Sequence, residues 1–286
     1  MYRWAFLVNI GVFSISFSST AKNTTMSTEK IYHMWEKKQR LSYDKKSFIR
    51  TMYWKIWKEN YRILYARMIL LNMIRKNHQK KKLTFKEKVF LNQACKYYKV
   101  SSWKNLLNRM DVIPISMALA QSIQECGWGR SFSCLNKNAY FGMMSTGKKC
   151  HRYHTPEHSV QAYIRTLNTH RGYKKFRAIR QMMRERNQDL RGYILINELY
   201  SYCEDPNYPK IIQKIARKYH LFIFDLMIEN AYRHVLVSDL NSKKIFEFKQ
   251  RCFDLAKHPK GAHFLAQMLW TKICENFSKV QFASVL

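Results

Sequence analysis

The chemistry this chain could perform is most legible at Glu125. That residue closes a short apolar run, Ile115 to Ile123, and is followed at once by Cys126-Gly127-Trp128-Gly129. Pro114 suits a first helical turn, where its missing N–H costs nothing. Ile115, Leu119 and Ile123 recur every four residues and predict a helical stripe, which Gly127 ends. At about 3.6 residues per turn, Glu125 points away from that stripe and shares its side with Ala118, Gln121 and Ser122. Burial among aromatic residues and the negative end of its own helix would both keep such a carboxyl protonated. A protonated carboxyl near neutral pH is what a general acid requires. A solvated Glu at a helix end is nevertheless the commoner reading of this pattern taken alone.

The surrounding motifs sharpen the choice. Glu125-Cys126-Gly127-Trp128-Gly129 resembles the Glu-Ser-Gly-Trp-Gly signature of the bacterial peptidoglycan N-acetylglucosaminidases, in particular their Bax-like branch. Further stretches follow in the family's order. Asn138-Ala139-Tyr140-Phe141-Gly142 resembles Asn-Asn-Leu-Phe-Gly, Ser159 to Tyr163 resembles Ser-Val-x-x-Tyr, and Leu167-Asn168-Thr169-His170 matches Leu-Asn-Thr-His. Upstream, Asp111 to Met117 also fits. The similarity runs from about residue 45 to 225 and is strong from 103 to 177.

The resemblance implies a mainly α-helical, lysozyme-like domain with Glu125 as its acid. It also implies a sugar-binding cleft shaped by Trp128, Asn138, Phe141 and Tyr200. Tyr163 is either core or cleft wall. Tyr200-Ser201-Tyr202-Cys203-Glu204-Asp205-Pro206-Asn207-Tyr208 resembles the family's Tyr-Ala-Thr-Asp-Pro-x-Tyr. Tyr200 is expected in the cleft; Tyr208 either joins it or packs this loop against the following helix. One departure matters. Several relatives carry a second acid in a β-hairpin after Phe-Gly, whereas Met143 to Tyr153 here contains no Asp or Glu. Glu157, in Thr155-Pro156-Glu157, reads as the first turn of a helix.

Cys150, His151, His154 and His158 lie close together, but their spacing matches no standard zinc finger. No metal or cofactor is expected. Among the seven cysteines, Cys134 with Cys150 would close the loop around the cleft, and Cys126 could face Cys203.

Around these residues the chain divides into five expected parts. Residues 1–21 carry Arg3, an apolar run and small residues at Ser19 and Ala21, which predicts a signal peptide or, failing cleavage, a membrane anchor. Residues 22–43 read as a polar linker. Residues 44–102 read as basic helices, the second begun by the capping box Thr84-Phe85-Lys86-Glu87. Residues 103–226 form the glucosaminidase-like domain, with helices expected from Pro156 to His170, after Tyr173, and from Lys210 to His220. Residues 227–286 read as a helical extension with helices over 243–258 and 261–276.

A formal charge of +32 suits an anionic partner but does not choose among nucleic acid, lipid and wall polymer. With the export signal, the expectation is a protein of the cell envelope or periplasm acting on peptidoglycan glycan strands, its basic face toward an anionic surface and no nucleic acid bound. The expected activity is hydrolysis of the β-1,4 bond after N-acetylglucosamine. The rivals are a lytic transglycosylase using Glu125 alone and a non-catalytic envelope-binding protein on the same scaffold.

Overall fold

The computed structural model describes residues 28–144, 150–229 and 232. The described chain is mainly α, as expected. Its helices are α1 (Thr28–Lys38), α2 (Tyr43–His78), α3 (Phe85–Tyr98), α4 (Trp103–Arg109), α5 (Ile115–Cys126), α6 (Phe132–Lys137), α7 (Pro156–Thr169), α8 (Lys174–Glu185), α9 (Gly192–Leu195) and α10 (Tyr208–Lys218). Short 3₁₀ turns at Arg171–Tyr173, Ile196–Glu198 and Leu221–Phe224 complete them. The export signal expected at 1–21 and the helices expected over 243–258 and 261–276 lie outside the described residues.

α5 is the axis of the fold. α2, α9, α10 and the Leu221–Phe224 turn all pack on it. Every residue of α5 is buried except Gln124 and Glu125, so the predicted apolar stripe understates its burial. A helix enclosed on all sides must satisfy its polar groups internally. Asp225 does this at the N-terminus, accepting from the Ser116 N–H at 2.9 Å, the Ser116 hydroxyl at 2.7 Å and the Gly192 N–H at 2.8 Å. Burial outweighs these bonds and pushes the Asp225 carboxyl up to about 6. At the other end Gly127, at φ 54°, turns the chain out of the helix and donates to the Ile123 carbonyl at 3.1 Å.

One expectation about the N-terminal half needs correction. The linker predicted at 22–43 contains α1, whose Ile31, Tyr32 and Trp35 are buried. These residues, spaced i, i+1, i+4, share one helical face and close on the segment 219–224. Trp35 packs tilted against Phe224 with ring centres 5.3 Å apart and donates its indole N–H to the Tyr219 carbonyl at 2.8 Å.

The helices of 44–102 pack directly against the segment that follows residue 103. α2 is one continuous helix whose Ile49, Met52, Tyr53 and Ile56 belong to the same core as α5 and α7. Within it, Asn60 pairs like a strand neighbour with Ile113, donating to its carbonyl at 2.7 Å and accepting from its N–H at 3.0 Å.

The predicted caps form as their residue types require. Thr84 and Glu87 make a reciprocal capping box at α3, and Thr155 caps α7 ahead of Pro156. Val160, Tyr163, Ile164 and Leu167 form the buried face of α7.

One buried ion cluster fastens the entry to α5. Asp111 meets Arg184 at 3.3 Å and Arg67 at 3.7 Å, while Arg180 donates to its backbone carbonyl at 3.1 Å and to Asn168 at 2.7 Å. Burial alone would raise the Asp111 carboxyl. Arg67, Arg184 and Arg180 outweigh it and hold the group well below the usual carboxylate range. Burial pushes the Arg180 guanidinium down to about 10, partly offset by Asp111.

Candidate active site

Glu125 sits at the last turn of α5, half-buried, where the helix leaves the core. Its Oε1 accepts a 2.6 Å hydrogen bond from the Tyr208 hydroxyl. Tyr208 stands at the start of α10 and in turn accepts from the Gln121 amide at 3.1 Å, one helical turn before Glu125. The Gln121 carbonyl oxygen accepts from the Tyr163 hydroxyl at 2.7 Å. A relay of Tyr163, Gln121, Tyr208 and Glu125 therefore joins α7, α5 and α10. Burial raises the Glu125 carboxyl above its ordinary value, and the Tyr208 bond only partly opposes this. Half-buried among aromatics, the group keeps its proton to higher pH than a free Glu.

The other wall of Glu125 is backbone. A Cβ added to Gly142 would run into the Glu125 carboxyl oxygen, and Gly142 takes φ 57°. Both the close approach and the positive φ require glycine there. Preceding it, Phe141 lies fully buried and stacks at 4.0 Å and 10° on Tyr163. This corrects the expectation that Phe141 touches sugar. It also settles the alternative for Tyr163, whose ring is core. These rings stack beneath the Glu125 network and support it.

Tyr200 does not join the hydrogen-bonded Glu125 network. It is 61% exposed, and the tyrosine inside the network is Tyr202. Tyr202 stacks on Tyr208 at 5.3 Å and 10°, and donates to the Phe141 carbonyl at 2.6 Å. The signal was present in the sequence. Counting back from Asp205-Pro206, Tyr202 stands closer to the spacing of Tyr-Ala-Thr-Asp-Pro than Tyr200 does. Tyr208, whose place was left open, contacts the carboxyl directly but is only 3% exposed, so it orients Glu125 more than it offers a surface.

Trp128, at φ 63°, packs edge-on against Phe48 of α2 at 5.9 Å and Tyr219 at 4.8 Å, with the Lys45 ammonium 5.1 Å from its ring centre. Asn138 ends α6 in the left-handed conformation, and its amide donates to the carbonyls of Tyr153 at 3.0 Å and His154 at 3.2 Å. Those donors are committed to the loop, so Asn138 acts on the site by holding backbone. The same loop makes one isolated antiparallel bridge, Met144 with Cys150, and the described residues contain no strand.

Glu157 forms an ion pair with Lys55. Burial alone would raise this carboxyl, but Lys55 and the helix-start bonds hold it below its ordinary value. Among the described residues, no second carboxylate makes a hydrogen bond into the Glu125 network. Nor do three His, Cys, Asp or Glu side chains among them gather as a metal-ligand group.

The expected cysteine partners are rearranged. The five described cysteines carry free thiols, and Cys126 hydrogen-bonds Cys134 instead of facing Cys203. The tight turn over 127–131, closed by the Ser131 N–H on the Cys126 carbonyl at 3.0 Å, folds α6 back over the end of α5. The bond to Cys134, with burial, pushes the Cys126 thiol well up. A thiol held protonated is a poor nucleophile.

With this geometry in place, the chain can be compared with known proteins. Residues 100–221 match the family model described as "Glucosaminidase: Mannosyl-glycoprotein endo-beta-N-acetylglucosaminidase". Over 176 residues the chain is 31% identical to "Protein bax" of Escherichia coli (strain K12), covering 55% of this chain and 63% of that protein. The chain thus spans less than two thirds of that relative. No solved structure matches.

Proposed function

We propose that this protein cleaves the glycan strands of peptidoglycan at the β-1,4 bond following N-acetylglucosamine. The observation that carries this reading is the Glu125 carboxyl, raised by burial and aimed by the Tyr208 hydroxyl at 2.6 Å. Glu125 protonates the bridging oxygen as an oxocarbenium-like transition state develops on the departing sugar. The glucosaminidase-family match over residues 100–221 supports the substrate class. The net charge of +32 fits work against an anionic envelope surface, with the protein exported or anchored at its N-terminus.

A second reading is favoured by one observation. The loop after Gly142 has no acid in Met143 to Tyr153, and Glu157 is committed to Lys55. A lytic transglycosylase needs only one carboxyl, because the sugar's own hydroxyl closes on the anomeric carbon. Digestion of purified peptidoglycan, with products identified by mass, tests both readings. Hydrolysis leaves reducing N-acetylglucosamine ends, and transglycosylation leaves anhydro-sugar ends. Intact glycan after digestion would leave the non-catalytic scaffold as the reading.

The relay also makes a prediction for Tyr208→Phe. The Tyr208 hydroxyl stabilises the ionised form of Glu125, so its loss raises the carboxyl further. Activity needs the protonated form and falls as pH rises through that value, so the alkaline limb of the pH–rate profile should move to higher pH. The rate at the optimum should drop about tenfold, because the carboxyl loses its aim. An unmoved limb would show that Tyr208 does not act on Glu125.

A further inference from the structure

The N-terminal turns of α2 meet the loop that follows Glu125, and the two enclose an open cavity of about 310 Å³. α2 supplies Tyr43, Asp44, Ser47 and Thr51, and the loops supply Trp128 and Tyr140. The seam is tight. The ring of Phe48 lies 3.1 Å from where a Gly129 Cβ would stand, and it also stacks on Tyr140 at 6.4 Å. The carboxyl of Glu125 is not part of the cavity lining. Two of the lining residues nonetheless flank it: Trp128 follows Glu125 by three positions, and Tyr140 precedes by two the Gly142 that presses on its carboxyl. The family match begins at residue 100, so it assigns nothing to the α2 wall.

The lining combines aromatic rings with the Asp44 carboxylate and the hydroxyls of Ser47 and Thr51. Such a wall suits a pyranose, whose C–H face lies on an aromatic ring while its hydroxyls take polar partners at the edge. The volume is at the small end of the range for ligand pockets, roughly 300–1,000 Å³, and fits one sugar unit better than a chain. Asp44 is held in place by Arg130 at 2.9 Å, at a position where both side chains remain mostly exposed. Its carboxylate therefore stays accessible as an acceptor for a sugar hydroxyl.

We infer that this cavity is an additional subsite for one N-acetylated sugar of the glycan, with Asp44, Ser47 and Thr51 of α2 setting how far from the cleaved bond the strand is gripped. The inference rests on the proposed glycan-cleaving function and adds to it a contribution from outside the family-matched segment.

The test is binding, read apart from catalysis. The full-length Glu125→Gln protein is titrated with β-1,4-linked N-acetylglucosamine dimer, tetramer and hexamer. Affinity should rise with chain length. Ser47→Trp, which fills the cavity, should weaken tetramer binding about tenfold, the equivalent of about 1.4 kcal/mol. Asp44→Ala, at an exposed position where folding is not at stake, should weaken it in the same direction. Unchanged affinity in Asp44→Ala and in a normally melting Ser47→Trp overturns the subsite, as does binding only of fragments that carry stem peptides.

Wall digestion by the parent protein separates the two readings. Cleavage with unaltered oligomer binding in both variants leaves the function standing and removes the subsite. Binding lost in the variants without any cleavage by the parent keeps the subsite and removes the enzyme. Neither cleavage nor binding removes both.

Discussion

The Glu125→Gln protein should cleave peptidoglycan about 10²–10⁴-fold more slowly than the parent, the range general-acid catalysis contributes. The substitution is nearly isosteric. The amide oxygen can still accept from Tyr208, so the relay to Gln121 and Tyr163 survives and the fold should melt normally. What disappears is the proton. Burial raises the Glu125 carboxyl, so the parent should remain active at pH values where a free Glu is already ionised, losing rate only as pH rises through the raised value. The residual activity of the variant should lack that limb. Parallel rates of muropeptide release across pH check both statements, and a variant with parental rates would move the acid role to another residue.

The largest effect on stability is expected from Asp111→Ala. Removing one partner of a buried ion pair costs about 3–5 kcal/mol, because the charges left behind stay desolvated and unpaired. Here Arg67, Arg180 and Arg184 would be left facing one another around an uncharged methyl, with Glu229 bound to Arg184 at 2.9 Å. A drop in melting temperature of roughly 10 °C should follow for a chain of this size.

The pH dependence gives a second check. The folded carboxyl of Asp111 is depressed, so its contribution is present above the ordinary carboxylate range and is lost as pH falls toward the folded value. The parent should therefore weaken in acid by more than Asp111→Ala does. Urea unfolding at several pH values measures the difference, and equal slopes would remove Asp111 from the account.

Much of this site was legible before any coordinates because local rules fixed it. Thr84 with Glu87, Thr155 with Pro156, and Gly127 after Cys126 each announce a helix end through chemistry within a few residues. The acid itself was legible through its motif. What escaped depended on distant partners. α1 has too few apolar residues to declare itself, and its helix is stabilised by Tyr219 and Phe224, more than 180 residues further along. Phe141 looked like a cleft aromatic, and Tyr163 could be core or cleft wall, because an exposed and a buried ring leave the same letter. Only their 4.0 Å stacking places them inside. Cys126 and Cys134 became neighbours through the reversal at 127–131, whose compactness spacing alone does not convey.

The two anchors of α5 act together as a ruler. Asp225 grips its first turn through Ser116, and Gly127 ends it twelve residues from its start, so the phase of the whole helix is set at its origin and read out at Glu125. One residue inserted near its middle would rotate everything downstream by about 100°, swinging the carboxyl off the tyrosine it leans on while leaving helix content almost intact. For this scaffold, tolerance to insertion should therefore be judged by angular register, with loop residues free to vary in length and α5 confined to one count.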